Sequence, residues 1–141
     1  LRDADMDQIN AAKSDMPEEI FPRARHVVSE IARTVRFAQL LGQKGYNEAG
    51  QLMVASHVSL RDDYEVSTRE LDFLQEEAMK VKGVYGARMT GGGFGGCIVA
   101  LTQPRAAEPL MQRLRDAYPP RFGKTPEVFV TNAAAGASVL V

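Results

Sequence analysis

Five of the six residues from Gly91 to Gly96 are glycine, and Phe94 is the exception. Glycine costs roughly 0.5–1 kcal/mol more than alanine to order in regular structure. Such a run therefore predicts a backbone that turns sharply or comes very close to a neighbour. Glycine-rich loops cradle phosphate groups through backbone N–H donors, and they also let two chain segments pack tightly. The spacing of the glycines leaves both interpretations open.

The residues that flank the run argue against the common phosphate loops. Gly91, Gly93 and Gly96 match the G-x-G-x-x-G pattern of dinucleotide-binding folds, in which the last glycine opens a helix. Here the apolar run 97–101 predicts a strand instead. A Walker loop ends in Gly-Lys-Ser/Thr, and this loop ends in Gly-Cys. The glycine loop of protein kinases has the pattern G-x-G-x-x-G-x-V, and Ile98 supplies an apolar residue at its last position. However, no lysine follows on the next strand, and no His-Arg-Asp or Asp-Phe-Gly sequence occurs.

Other side chains of reactive types carry weaker signals. Ser56, His57 and Asp62 are of the types found in nucleophilic triads, but no nucleophile elbow is present, so helix capping and surface hydrogen bonds are expected. Asp62 and Asp63 are of a metal-ligand type, yet adjacent side chains on a helix point apart. Cys97 precedes an apolar run, which predicts a buried and inert thiol. These residues therefore predict no catalytic group and no metal site.

Two long helices are predicted ahead of the loop, where they can support it. Asp15, Pro17 and Glu18 form a start signal for the first helix, which should end near Gly42. Its predicted buried face comprises Val27, Val28, Ile31, Val35, Ala38 and Leu41. The second helix is predicted over residues 47–60, with Leu52, Ala55 and Val58 on its apolar side.

The order of the remaining elements sets the fold class. In chain order they are a short helix capped by Asp5 and Gln8, a helix after the capping box 67–70, strands over 85–90 and 97–101, a helix over 104–118 and a strand over 127–131. This order indicates an α+β domain, with helices packed on one face of a small antiparallel sheet.

Composition narrows the functional class. The 141 residues suit one domain, and 45% hydrophobic residues supply a core. A net charge of -1 without a basic patch gives no reason to expect nucleic acid or membrane partners. The single cysteine permits no intrachain disulfide, and we expect a cytoplasmic location. Because the chain begins at Leu1 instead of methionine, we expect it to be a piece of a longer polypeptide.

The loop and its surroundings resemble a known family. Residues 87–97, ARMTGGGFGGC, closely resemble the third, C-terminal motif of the GHMP small-molecule kinases, and within that superfamily the chain resembles the galactokinases. Residues 56–67, SHVSLRDDYEVS, and then residues 70–72 support this, as do residues 25–30 with Arg33. Ile31 stands where the family usually has asparagine, and the resemblance ends at Gly136-Ala137.

The resemblance implies that residues 1–141 are a ferredoxin-like GHMP kinase C-terminal domain. Galactokinases phosphorylate galactose at its anomeric oxygen with ATP and magnesium. Their phosphate loop, catalytic aspartate and arginine, and most sugar-binding residues belong to the N-terminal domain of the same polypeptide. Because none of those motifs is present here, we expect the chain alone to be inactive and to hold neither cofactor tightly. The resemblance also implies which residues of this chain form a loop at the substrate and nucleotide cleft. They are Thr90, Gly91, Gly92, Gly93, Phe94, Gly95, Gly96 and Cys97.

Alternative functions remain open at this point. The chain could be a free-standing α+β module that binds a small ligand at the glycine hairpin, or a non-catalytic relative that senses a sugar. The direction of the Arg88 side chain is also open, because alternation along a strand decides whether it faces the cleft. Separation from a partner domain would expose an apolar face, so we expect the chain to self-associate.

Overall fold

The computed structural model describes residues 1–134 and 136, so Ala137, at the end of the resemblance, lies outside the described residues. The helices are α1 (Met6–Ala11), α2 (Ile20–Gly42), α3 (Tyr46–Asp62), α4 (Arg69–Met79), α5 (Ala107–Ala117) and α6 (Pro119–Phe122), with 3-10 helices at Lys13–Asp15 and Pro104–Ala106. The strands are β1 (Val84–Thr90) and β2 (Cys97–Thr102). No helix in this part of the chain is long and apolar enough to span a membrane.

The two strands form an antiparallel hairpin, as predicted. Ala87 pairs with Ala100 and Thr90 with Cys97, so the glycine run connects the strand ends. Helices pack against this two-stranded sheet, which confirms the α+β class.

The buried face of the hairpin rests on α4 and α5. Its inward residues join two clusters; one contains Leu60, Val66, Leu71 and Met89, and the other contains Ala78, Ala87, Leu110 and Leu114. Leu71 and Ala78 of α4 and Leu110 and Leu114 of α5 supply most of these contacts, because an apolar repeat of three and four residues places side chains on one face of a helix. A third cluster, formed by Ile9, Phe21, Ala24 and Val28, holds α1 on α2.

A very close approach joins α3 to β1. A Cβ atom on Gly50 would lie 2.0 Å from the carbonyl oxygen of Tyr85, and one on Gly86 would lie 2.1 Å from the carbonyl oxygen of Gly50. Both glycines are buried. Because neither residue has a Cβ, the helix and strand backbones meet directly, and this contact sets the distance between α3 and the hairpin.

The predicted start of α2 is wrong, and of its predicted buried face only Val28 is buried. The helix begins at Ile20 instead of near Asp15, after a turn in which the Pro17 carbonyl accepts the Ile20 N–H at 2.9 Å. Ile31 and Val35 are 40% and 56% exposed. The buried residues of α2 are Phe21, Ala24, His26, Val28 and Leu40. The helix turns this partly polar side inward because α1 and α3 cover it.

Three further expectations differ from the structure. Ala55 and Val58 of α3 are exposed, because the small and polar side of that helix faces the hairpin. The cap of α4 is Thr68 instead of Ser67, since the Thr68 hydroxyl accepts the N–H of Leu71. The strand predicted over 127–131 does not form. Its backbone pairs with no strand edge, and the Val128 carbonyl instead accepts a hydrogen bond from the Arg115 guanidinium at 3.2 Å.

Candidate functional site

The glycine loop, residues 91–96, has an unusual backbone. Its residues with positive φ are Gly91 (90°), Gly93 (85°), Phe94 (58°), Gly95 (135°) and Gly96 (101°). L side chains rarely adopt such values, which explains the glycine content. A Cβ on Gly91, Gly92 or Gly95 would meet nothing within 4 Å, so much of the loop has open space beside it. The loop therefore presents bare backbone that another molecule or domain can approach closely.

The centre of the loop is fixed to the segment that precedes α4. The Phe94 N–H donates to the Val66 carbonyl at 2.8 Å. A Cβ on Gly93 would lie 2.4 Å from the same oxygen, so only glycine fits there without movement. The Phe94 side chain is 78% exposed and contributes little to this packing. Val66 thus anchors the loop by its backbone.

The strand that leads into the loop is held by a buried histidine. The Met89 N–H donates to His57 Nδ1 at 3.1 Å, and both residues are almost completely buried. His57 Nε2 lies 3.2 Å from Asp72 Oδ1, but within the described residues it has no well-aligned hydrogen-bond partner. The Ser67 hydroxyl donates to the same Asp72 oxygen at 2.6 Å. Residues from α3 and α4 therefore act together on the end of β1.

Burial dominates the acid–base behaviour of His57. Desolvation lowers the pKa of the imidazole, while the carboxylate of Asp72 opposes this shift. Arg61 and Arg88 lower the pKa further. The ring is therefore neutral near pH 7, and its Nδ1 accepts a hydrogen bond while the proton sits on Nε2.

The side chains suggestive of a triad do not assemble into one. Ser56 donates to Glu30, while Asp62 pairs with Arg61 on the surface. Asp63 contacts Arg25 and accepts from Ser59 at 3.0 Å. The partner of His57 is Asp72, which sequence reasoning quoted only as part of the resemblance.

Arg88 points toward α2. Its guanidinium donates to Glu30 at 2.9 Å, and the other oxygen of Glu30 accepts from Arg33 at 2.9 Å. These residues line a cavity of about 390 Å³ between α2, α3 and the second face of the hairpin, with Phe37 and Val99 among its apolar walls. Arg88 is therefore committed to Glu30, and it is not one of the residues of the glycine loop.

Cys97 corrects another expectation. The residue is exposed, whereas a buried thiol was predicted. It lies at the first position of β2, opposite Thr90, on the strand side that alternates with Ile98. Ile98 faces the core, so Cys97 faces outward, and the apolar run that suggested burial covers only its neighbours.

A family model described as GHMP kinases C terminal matches residues 37–120, which include the glycine loop and the segment that anchors it. The chain belongs to this family. The resemblance inferred from the glycine motif is therefore confirmed.

Within the GHMP kinases, the relatives of this chain are galactokinases. The chain is 49% identical to human galactokinase over 140 residues, which cover 99% of the chain and 35% of the human protein. It is 43% identical to galactokinase of Roseiflexus sp. (strain RS-1) over 136 residues. The crystal structure of Lactococcus lactis galactokinase complexed with galactose superposes with a TM-score of 0.80 at 38% identity, covering 84% of this chain and 31% of that one. The chain thus spans about a third of the length of these relatives.

Sequence reasoning found the loop of this GHMP domain but missed what holds it. His57 was considered only with its sequence neighbours, and its contacts with Met89 and Asp72 lie 32 and 15 positions away. One signal was available, because the stretch 56–67, which contains His57, and residues 70–72, which contain Asp72, belong to the same resemblance as the glycine motif.

Proposed function

We propose that residues 1–141 are the C-terminal domain of a galactokinase, which transfers the γ-phosphate of ATP to the anomeric hydroxyl of galactose. The product is galactose 1-phosphate, which places the protein in galactose metabolism. The loop from Thr90 to Cys97 forms one wall of the cleft between this domain and the N-terminal domain of the same polypeptide. We also propose a cytoplasmic location, which agrees with a single cysteine and no intrachain disulfide.

One observation carries this proposal. The two stretches that resemble galactokinases, residues 56–67 and the glycine motif, are distant in sequence but meet in space, where Val66 accepts the Phe94 N–H at 2.8 Å. The first stretch therefore serves to shape the loop.

The chemistry of phosphoryl transfer agrees with a supporting role for this chain. Catalysis of that reaction consists mainly of positioning and charge stabilisation. Arg88 and Arg33 are already paired with Glu30, and the loop itself has no lysine or arginine. This domain therefore contributes a closely approaching backbone, and the charged groups that act on the phosphates belong to the other domain.

Among the described residues, no three His, Cys, Asp or Glu side chains converge to hold a metal ion by themselves. Magnesium at a kinase site is held by one or two carboxylates together with substrate phosphates, so we propose that it binds with ATP in the cleft. We therefore assign no step to a metal held by this chain. ATP supplies the phosphoryl group, and the chain's own part is to close the cleft and limit the access of water.

A chimera tests this function. This chain would replace the aligned segment of human galactokinase, which covers 35% of that protein, and the formation of galactose 1-phosphate would be measured with galactose and ATP. We expect activity from the chimera and none from the chain alone. A stable, folded chimera without activity would contradict the proposal and favour a ligand-binding or sugar-sensing module.

Neighbouring glycines provide a matched control in the chimera. Gly93→Ala puts a methyl group 2.4 Å from the Val66 oxygen at a φ of 85°, whereas Gly92→Ala meets nothing within 4 Å. We expect Gly93→Ala to lower kcat strongly and Gly92→Ala to lower it much less. Because Gly92 also lies in the proposed cleft wall, the free energy of unfolding of the chain is compared as well, and equal losses in both variants would show that the contact with Val66 does not shape the loop.

A further inference from the structure

Two anchors of different kinds hold the glycine loop. At its centre, the Val66 carbonyl accepts the Phe94 N–H. At its entry, His57 Nδ1 accepts the Met89 N–H, one residue before Thr90. The first anchor is backbone to backbone and survives any side-chain change at Val66. The second depends on one side chain, so a substitution at His57 removes its acceptor directly.

The entry anchor works only in one form of His57. Nδ1 accepts a hydrogen bond only when the ring is neutral and its proton is on Nε2. Asp72 favours that tautomer, because its carboxylate lies 3.2 Å from Nε2. The Ser67 hydroxyl, at 2.6 Å from the same carboxylate oxygen, restrains Asp72 in turn. Asp72 and Ser67 thus help to keep His57 Nδ1 as the acceptor of the Met89 N–H.

These side chains connect the two anchors to each other. Ser67 follows Val66 directly, so the residue that restrains Asp72 is adjacent to the residue that holds Phe94. Burial is the main cause that lowers the pKa of His57, and the charges of Arg61 and Arg88 lower it slightly further. The carboxylate of Asp72 opposes this shift, but its position near Nε2 directs the ring proton to that nitrogen.

We infer that His57 is a positioning residue of the proposed kinase reaction, which fixes the shape of the glycine loop through the Met89 N–H, with Asp72 and Ser67 as its supports. The inference rests on the proposed function, because it assumes that the loop closes the cleft. His57 touches neither substrate nor nucleotide. Its effect on the reaction passes through the backbone of the loop.

Three substitutions separate the parts of this arrangement. His57→Leu removes the acceptor and keeps a buried side chain, and Ser67→Ala removes only the support of Asp72. His57→Asn is the conservative variant, because its amide oxygen lies near the position of Nδ1. Val28→Ala serves as a control, since it weakens the cluster between α1 and α2, far from the loop.

The first measurement is hydrogen exchange of the Phe94 amide in the full chain, relative to amides of α5. We expect His57→Leu to raise the relative rate about tenfold or more, the effect of leaving one buried donor unpaired. Ser67→Ala should raise it less, His57→Asn should stay near the original chain, and Val28→Ala should cause no selective change. If His57→Leu does not fold, Ser67→Ala carries the same comparison. If His57→Leu raises the exchange rate of the Phe94 amide only by the same factor as the rates of the α5 amides, the inference is wrong.

The second measurement is kinetic and uses the chimera. His57→Leu should lower kcat about tenfold while the KM for galactose changes little, and His57→Asn should recover most of the loss. A loosened loop with unchanged kcat would overturn the positioning role. If the unaltered chimera has no activity, the proposed function fails, and the exchange experiment alone then supports or overturns the anchoring of the loop by His57.

Discussion

The direct backbone contact between α3 and β1 leads to a specific prediction for Gly50→Ala. Within a helix, alanine is favoured over glycine by about 0.8–1.0 kcal/mol. Here the new methyl group would lie 2.0 Å from the Tyr85 oxygen and 2.2 Å from its carbonyl carbon. Contacts between carbon atoms are most favourable near about 3.5–4.0 Å, so α3 and β1 would have to separate by more than roughly 1 Å.

The size of the effect follows from this geometry. Overpacking of a core costs about 1–3 kcal/mol, and the upper end applies here because neither backbone has a rotamer that relieves the clash. After subtraction of the gain in helix propensity, we expect a net loss of about 2 kcal/mol in the free energy of unfolding. This is a large share of the roughly 5–15 kcal/mol that stabilises a typical domain.

Urea denaturation of the full chain measures the effect, with Gly42→Ala as the matched control. Gly42 is the last residue of α2, and a Cβ there meets nothing within 4 Å. The same chemical change should leave the control unchanged or slightly more stable, by up to about 1 kcal/mol. If Gly50→Ala and Gly42→Ala shift the midpoint alike with equal m-values, the close approach of α3 and β1 is refuted.

Three other outcomes are expected. Burial lowers the pKa of both His26 and His57 below about 6.5, so the unfolded chain takes up protons first as the pH falls. The free energy of unfolding should therefore decrease from about pH 7 to pH 5.5, by at most about 1.4 kcal/mol per pH unit for each histidine. His57→Asn should reduce that slope, and a free energy that does not change with pH would contradict the burial of both rings. Cys97 should react with a maleimide in the native chain nearly as fast as in the denatured chain, since it is exposed, and strong protection would place it in the core. The chain alone should self-associate through apolar side chains that include Val35 and Phe94, and strictly monomeric elution at high concentration would rule this out.

Local signals predicted the elements of this domain well. The capping box of Asp5 and Gln8 forms as expected, because both partners lie within one turn. The hairpin and its glycine connection followed from β-branched residues beside a glycine run. The helix predicted over 104–118 forms as α5, in which Leu110 and Leu114 are one turn apart and pack against the adjacent hairpin.

The sequence alone did not determine which side of a long helix is buried. Ile31 and Val35 form an apolar repeat on α2, yet they are exposed, while Ala24 and His26, outside the predicted face, are buried. Periodicity reports that a side is apolar but not which neighbours are present to cover it. The same reason accounts for Val58, which is apolar and exposed on α3. The prediction of a strand over 127–131 failed likewise, since β propensity cannot supply a pairing edge.

The charges around the glycine loop limit what this domain can contribute to a reaction. Arg88 is paired with Glu30, which also accepts from Arg33, and Asp72 is engaged by Ser67 and by His57. Each of these ionisable groups is already committed to a partner within the chain. A group that neutralises phosphate charge must be free to approach it, so these side chains serve to fix the fold.

In the proposed reaction, the contribution left to this domain is the shape of the loop. Gly91, Gly92 and Gly95 have open space where a Cβ would be, whereas Gly93 is fixed against Val66. A backbone that is anchored at its centre and bare on either side suits a surface that must approach a ligand without reacting with it. The loop therefore needs its glycines for two separate reasons, contact with Val66 at one position and access at the others. This distinction is why adjacent alanine substitutions at residues 92 and 93 should differ in their effect.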